Sequence, residues 1–448
     1  MSSSIALLIC AGLVSSTPTN RTLVMVKYGG KALDCRQLPN MMARAFGTSR
    51  RLTDEDRIFE NCLLNDDMVE DLSAIGVQII NSNCPATTDQ ISNYMKSLHD
   101  ALDVVSFVEP DREVFLDTAP VRPSLRRAQN IDQCKANIRL GTYDPLSSCQ
   151  PNLELIRMNH VWHEVESIRQ INPLKEVVVA VIDSGIDTKH PDLVNQLWRN
   201  PNDGSVGYNF INNNNDPTDD NGHGTHCAGV IAAETNNGIG VASVTGALGE
   251  VMALKSFGSD GSGNLAETLR ALDFALDNGA QISSHSYSDP NHSDLEEQAI
   301  INAAARGHIL VASSGNERLS LDSNPVYPCA YAATNLCVAA TTSGPNIPVV
   351  LAGFSNYGSA VNIAAPGVNI LSTVPGTYER RSGTSMATPH VAAVAAVLAS
   401  LGVIGQSITG TIIQSGRKVS NSDIPLLDAG GKGITEAIAQ ARAKLTPP

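Results

Sequence analysis

Aromatic residues are scarce in this sequence: Phe, Trp and Tyr make up 4% of 448 residues, with only two tryptophans. A core that rings cannot fill must be filled by aliphatic side chains. That points to Ala/Val-rich helices packed on Val/Ile-rich strands. Charge is thin as well. Asp, Glu, Lys and Arg amount to 17% against 42% hydrophobic residues, which excludes a long disordered or fibrous chain. Cationic charge is the scarcer sign: 31 Lys and Arg against 45 Asp and Glu leave a net charge of −14. This balance argues against a general nucleic-acid or anionic-membrane binder and suits a soluble protein with cation-binding loops. Long apolar runs are missing too. No stretch offers the roughly 18 charge-free apolar residues of a bilayer span, and the Ala/Val-rich run 391–401 is short enough to read as a buried helix.

What is present begins with a short apolar run at 5–14 followed by small polar residues. Residues 1–16 therefore read as an export signal cut after Ser16, although no Lys or Arg precedes the run. Beyond Cys10 in that run, the cysteines are Cys35, Cys62, Cys84, Cys134, Cys149, Cys227, Cys329 and Cys337. This usage fits an oxidising compartment. Cys134 with Cys149, and Cys329 with Cys337, stand close enough to close loops, but spacing alone does not give connectivity.

Residues 17–117 read as a small α+β unit. Residues 21–28 have strand character ended by Gly29-Gly30, 77–80 and 104–108 are further strands, and Ile91, Met95, Leu98 and Leu102 recur at helical spacing. Residues 118–140 hold Pro120, Pro123 and the dibasic pair Arg126-Arg127 without periodicity, and read as an exposed linker. From 141 to 448 the pattern becomes an alternation of strands and helices. Residues 177–182 are continuously apolar, as in a strand buried on both faces of a parallel sheet. Short apolar runs at 251–254, 281–283 and 309–312 alternate with helical patterns at 265–278 and 295–306. The expected fold is α/β: an open, mostly parallel sheet with helices on both faces, preceded by the small α+β domain. In such sheets the site lies at the carboxyl ends of the strands.

Three motifs carry chemistry. Asp183 ends the apolar run in Val181-Ile182-Asp183-Ser184-Gly185. A carboxylate there is costly to bury without a partner, though Asp-Ser-Gly also makes an ordinary turn. His223 lies in Asn221-Gly222-His223-Gly224-Thr225-His226, at the start of an apolar helix. His223 and His226 could instead bind zinc, but no third ligand stands at a recognisable spacing. Ser385 lies in Ser382-Gly383-Thr384-Ser385-Met386-Ala387, where a glycine turn becomes a helix. There a Ser or Thr can be an N-cap, or an exposed hydroxyl beside backbone N–H groups that stabilise negative charge. Together the three supply an acid to orient, an imidazole to take a proton and a hydroxyl to attack.

The motifs, in the chain order Asp, His, Ser, resemble those of the subtilisin-like serine proteases, the subtilases. Phe354-Ser355-Asn356-Tyr357-Gly358 and Ala364-Ala365-Pro366-Gly367-Val368 match further landmarks of that family. The resemblance covers 141–448, and 17–117 resembles the family's inhibitory propeptide. It implies Asp183 as orienting acid, His223 as general base and Ser385 as nucleophile of an acyl-enzyme mechanism. In Ser313-Ser314-Gly315-Asn316-Glu317, it implies that Asn316 donates to the oxyanion. Residues 280–288 resemble the segment that pairs with substrate, with Ser286, Tyr287 and Ser288 in the groove. Tyr287-Ser288 replaces the usual Leu-Gly pair, and Val326 stands where many relatives carry Gly at the pocket floor. A shallow pocket that fits large aromatic P1 side chains poorly is expected.

The loop 234–241 resembles the family's tight calcium loop. The implied ligands are the Asn237 side chain, the carbonyls of Glu234, Ile239 and Val241, and the carboxylates of Asp144 and Asp192. A second, weaker site could lie in 209–220, where Asn209, Asn212 and Asn214 stand in place of acids and Asp216 and Thr218 remain. Cys227 matches a buried free thiol of some relatives. The resemblance implies a secreted or secretory-lumen endopeptidase made as a zymogen. It would be a monomer acting on peptides and proteins, inhibited by its own propeptide and cut near Asp117. Two other readings are a proprotein convertase cutting after basic residues, and a silent binding protein on the same fold. The intact Asp183, His223, Ser385 and Asn316 set argues against the second. No Gly-rich dinucleotide fingerprint follows 177–182, which excludes a doubly wound oxidoreductase.

Overall fold

The computed structural model describes residues 21–28, 31–32, 34–41, 53–81, 83–102, 105–117, 131–171, 173–331, 335–344 and 347–444. The expected export signal and the Arg126-Arg127 pair lie outside the described residues. The N-terminal unit contains β1 (Thr22–Tyr28), β2 (Lys31–Ala32), β3 (Val69–Leu72), β4 (Val77–Ile80) and β5 (Val105–Pro110), with helices α1 (Asp54–Leu63) and α2 (Thr88–Leu102). β1 pairs antiparallel with β2, β4 and β5, and β4 pairs with β3. Helix α1 starts at Thr53, whose hydroxyl accepts from Asp56 N while the Asp56 carboxylate accepts from Thr53 N, a reciprocal cap. Val24, Val26, Phe59, Ile91 and Tyr94 bury one face of the sheet, and a Cys62–Cys84 disulfide ties α1 to the loop before α2.

β6 (Glu113–Leu116) follows at once. The remaining strands are β7 (Val177–Asp183), β8 (Gly207–Asn209), β9 (Gly249–Lys255), β10 (Ser262–Asn264), β11 (Ile282–His285), β12 (Tyr287–Ser288) and β13 (Ile309–Ser313). They continue with β14 (Asn335–Thr341), β15 (Ile363–Pro366), β16 (Ile370–Val374), β17 (Thr377–Arg381), β18 (Arg417–Val419) and β19 (Ser422–Leu426). Nine of these form one sheet in the order β18-β19-β15-β14-β13-β11-β7-β9-β8, parallel throughout except for β18 against β19. The helices are α3 (Pro151–Leu155), α4 (Met158–Arg169), α5 (His223–Ala232), α6 (Leu265–Asp277), α7 (Asp294–Ala305), α8 (Thr384–Ser400), α9 (Gln406–Ser415) and α10 (Lys432–Ala443).

The uninterrupted apolar stretch of β7 has a simple cause. Val177, Val179 and Val181 enter the core shared with α4, α5 and α8, while Ala180 and Ile182 enter the core shared with α6 and α7. Both faces of the sheet are thus covered. Residues 131–140, expected as part of an exposed linker, are instead fastened to the body. Leu140 is buried, Cys134 is bonded to Cys149, and the Ser147 hydroxyl accepts from Asn137 N at 2.7 Å. Composition suggested a connector because this segment has no apolar period; the disulfide and the polar contacts order it without one.

Candidate active site

β7, between β11 and β9 in the sheet, delivers Asp183 at its carboxyl end, and α5 begins at His223 beside it. The side chains meet: His223 Nδ1 lies 2.8 Å from Asp183 Oδ1 and 3.0 Å from Oδ2. A carboxylate only accepts, so Nδ1 carries the proton. The approach depends on Gly224, where a Cβ would fall 2.1 Å from Gly185 O and 3.1 Å from Asp183 Cβ. Burial opposes charge on His223, but the Asp183 carboxylate outweighs it and holds the imidazole well above its ordinary value. The other ring nitrogen, Nε2, is buried without a hydrogen-bond partner among the described residues.

A second carboxylate frames this helix start. Asp219 accepts from the Ser184 hydroxyl at 2.8 Å, from Asn221 N at 3.0 Å, from Gly222 N at 2.8 Å, and from Thr225 N at 2.9 Å and its hydroxyl at 2.5 Å. Burial pushes the Asp219 carboxyl up, yet these donors prevail and hold it below the ordinary carboxylate value. The sequence reading missed Asp219. Its signal was an Asp four residues before the histidine, at a helix N-terminus.

Ser385 sits in the first turn of α8. Its Oγ is 2.5 Å from the carbonyl oxygen of Asp117 and 3.3 Å from that of Ser286. The hydroxyl is therefore turned to Asp117 and makes no hydrogen bond to His223 Nε2. Pro389 lies inside α8 and has no N–H to give to the Ser385 carbonyl one turn back. That carbonyl instead accepts from the Ser286 hydroxyl at 3.2 Å and from Cys227 Sγ at 3.5 Å. Cys227 is a free, buried thiol whose ionisation burial opposes, and its sulfur is also 4.0 Å from His223 Nδ1. One helix residue thus touches both the imidazole and the serine backbone. Asn316 follows β13 and is buried. Its Oδ1 accepts from Thr384 N at 2.9 Å and the Thr384 hydroxyl at 3.1 Å, which fixes the amide and leaves Nδ2 buried without a partner among the described residues. A buried donor left open on a side chain bonded to Thr384, the residue before Ser385, suits an anion that forms only during reaction.

The groove is filled from within the chain. β6 lies between β10 and β12, antiparallel to both: Val114 opposes Gly263, Phe115 opposes Ser262 and Ser288, and Leu116 opposes Tyr287. The ladder continues through Leu116 N to Gly261 O at 3.0 Å and Asp117 N to Ser286 O at 3.1 Å. Ser286, Tyr287 and Ser288 thus line the groove, but Tyr287 does so through its backbone. Its ring is buried against Phe257 and its hydroxyl lies 2.9 Å from His285 Nδ1. Val326 shares an apolar cluster with Leu116 and Tyr287. The Asp117 side chain is buried, with its carboxyl accepting from the hydroxyls of Ser288 and Ser313. Ser313 opens the segment that holds Asn316, but nothing along the chain assigns it a role of its own.

Asp144 and Asp192 are both fully buried against the 234–241 loop. Asp144 accepts from Asn236 N at 2.9 Å; Asp192 accepts from Val241 N at 2.9 Å and the Asn237 amide at 2.8 Å. Burial, and then its neighbour Asp144, push the Asp192 carboxyl up to about 6. A Cβ at Gly240, whose φ is +51°, would fall 2.2 Å from Asp192 Oδ2. The carbonyls of Glu234, Ile239 and Val241 accept no hydrogen bond among the described residues. Two buried acids and three open carbonyls in one loop form an all-oxygen set that fits calcium. The 209–220 loop differs. Asp216 is spent on Thr218, and the Asn209 side-chain oxygen accepts from Ile211 N at 3.1 Å and Asn212 N at 3.0 Å.

Comparison with known proteins agrees with this geometry. The subtilase family's sequence profile matches residues 174–411. Thermitase of Thermoactinomyces vulgaris is 38% identical over 245 residues, 54% of this chain and 82% of that protein. Subtilisin BL of Lederbergia lenta is 39% identical over 267 residues, 59% of this chain and 91% of that protein. A thermophilic serine proteinase of Bacillus sp. (strain AK1) is 40% identical over 247 residues; this chain spans only 57% of its length. A solved protease structure from Pseudoalteromonas arctica aligns over 67% of this chain and 99% of its own, with a TM-score of 0.55 and 24% identity, a likeness of fold. No helix among the described residues is long and apolar enough to cross a membrane. With the family profile matching more than half of its length, the chain belongs to the subtilase family of serine endopeptidases.

Proposed function

We propose that this chain is the secreted precursor of an endopeptidase that cleaves peptides and proteins through an acyl-enzyme, and that residues 17–117 silence it until they are cut away. The observation that carries the reading is the Asp117 carbonyl, held 2.5 Å from Ser385 Oγ at the end of a strand bound as substrate would be. In the reaction His223 Nε2 takes the Ser385 proton as Oγ adds to the scissile carbonyl carbon. Asp183 keeps Nδ1 protonated and stabilises the imidazolium. Asn316 Nδ2 donates to the oxyanion. The imidazolium then protonates the leaving amine, and water, deprotonated by His223, releases the acyl group from Ser385. The disulfides between Cys62 and Cys84, Cys134 and Cys149, and Cys329 and Cys337 support export to an oxidising compartment. Asp144, Asp192, Asn237 and the carbonyls of Glu234, Ile239 and Val241 would hold a calcium ion, whose charge neutralises the two buried acids and braces the loop.

The test is to express the full chain beside its Ser385→Ala variant. The expected result is that the native chain is cut near residue 117 and takes a fluorophosphonate label on Ser385, while the variant stays whole and unlabelled. A native chain that remains whole, unlabelled and inert on peptides would refute the reading.

A further inference from the structure

We infer that the first specificity pocket of this chain is built for a short acidic or amide side chain: the hydroxyls of Ser288 and Ser313 bind the carboxyl of a P1 aspartate. The bond opened in maturation is therefore Asp117–Thr118. This inference rests on the proposed endopeptidase reading and adds its substrate class.

The argument starts from what surrounds Asp117. Its amide is paired to Ser286 O at 3.1 Å and its carbonyl faces Ser385, so its side chain occupies the pocket of the residue before the cut. That side chain is buried, with relative exposure of 7%. One oxygen accepts from Ser288 on β12 and the other from Ser313 at the end of β13. Two strands of different sheets thus each contribute one hydroxyl, and a single methylene stem is enough to reach both. The charged groups facing the carboxyl are Glu317 and His223, and no Lys or Arg among the described residues forms an ion pair with it. Recognition is therefore by hydroxyls, which both donate to an aspartate, while for an aspartic acid or an asparagine one of them turns to accept from the O–H or N–H. A hydrocarbon or ring-bearing side chain offers no acceptor where the Asp117 carboxyl sits, and would leave the hydroxyl of Ser313, which is fully buried, with only a 3.4 Å contact to His285 O.

That remaining contact sets the size of the effect. A buried donor with nothing to fall back on discriminates by several powers of ten. Ser313 keeps a weak acceptor and Ser288 is only part-buried, so a preference of about ten- to a hundredfold is expected.

The measurement uses the full chain after it has processed itself, with active sites counted by fluorophosphonate. Fluorogenic peptides carry the chain's own Val-Phe-Leu tail before a P1 residue of Asp, Asn, Ala, Glu, Leu or Phe. Asp and Asn are expected to give a kcat/KM at least tenfold above Leu and Phe, and mass spectrometry should place the maturation cut after Asp117. Ser288→Ala and Ser313→Ala should each narrow the Asp-to-Leu ratio. A protein that labels and cleaves but prefers Leu or Phe overturns this inference and leaves the endopeptidase reading standing. So does an Asp-to-Leu ratio that neither variant moves. A protein that neither labels nor cleaves overturns both.

Discussion

His223 and Asp183 form a buried pair, and in the proposed mechanism that pair sets the pH at which the enzyme works. Because the carboxylate holds the imidazolium well above the ordinary histidine value, the neutral base is lost as pH falls through that raised value. Peptidase activity should therefore rise along a limb displaced to the alkaline side of 6.5, seen in a kcat/KM profile with pH. Asp183→Asn removes the cause, so the limb should move toward acid while kcat drops by about 10⁴-fold. Asn316→Ala removes the open amide donor and should lower kcat by about 10²–10³-fold with little change in KM; that magnitude is subtilisin's own. Asp117 titrates in the opposite sense to an ordinary paired acid. Burial pushes its carboxyl up to about 6, the Ser288 and Ser313 hydroxyls resist, Glu317 raises it and His223 lowers it. Its docked form prefers the proton, so binding should be favoured below the free carboxyl's value and weaken as pH rises through about 6. A peptide matching residues 113–117 should lose inhibitory affinity, relative to the same peptide carrying Asp117→Asn, between about pH 4 and 6. The ratio cancels the titration of His223, which both peptides share.

Helix α5 is short, opens with His223-Gly224 behind Gly222, and has no side-chain cap at Gly222, which bears no side chain. Its start is fixed instead by Asp219, through five donors from Ser184, Asn221, Gly222 and Thr225. Replacing Asp219 by Ala strands those donors and should cost about 3 kcal/mol in denaturant unfolding. Since this carboxyl is held low in the fold, its contribution should be full above the ordinary carboxylate range and fade as pH falls through the lowered value. The 234–241 loop depends on the charge of Asp144 and Asp192. Calcium should raise the melting temperature and EDTA should lower it, and Asp192→Asn should abolish the difference. Ligation needs the carboxylate, so protons compete with calcium and the calcium effect should weaken as pH falls. The elements themselves were legible where one signal dominated. The 177–182 run and the Ala/Val helix after Ser385 announced themselves by composition, because burial on all sides leaves no polar period. The order of residues 131–140 was not legible, because a disulfide and backbone contacts hold that segment.

Across the whole molecule, the N-terminal unit is fastened by more than the strand in the groove. Arg21 pairs with Asp111 and with Glu267 on α6 at 2.7 Å. Arg112 pairs with Asp289 beyond β12 and donates to Asn291 O at 2.9 Å. Glu70 on β3 pairs with Arg270 on α6. Asp273 accepts from the backbone N–H of Ala74 at 2.8 Å and Ile75 at 3.3 Å. Arg112 anchors the chain just before the groove strand reaches Tyr287. Arg112→Ala should speed loss of inhibition after the cut by about ten- to a hundredfold, followed as the lag before peptidase activity appears.

The three groups proposed to react could be singled out along the chain, because Asp183, His223 and Ser385 each stand in a local pattern of glycines and apolar neighbours that few other uses demand. The character of the pocket could not. Ser288 stands out as a groove residue, but Ser313 lies 25 positions away and nothing along the chain couples the two. Only the parallel crossing of β11 to β13, with β12 turned back into the groove, sets their hydroxyls on one carboxyl. Hydrogen bonds act over about 3 Å, and a folded chain chooses which distant residues share that distance.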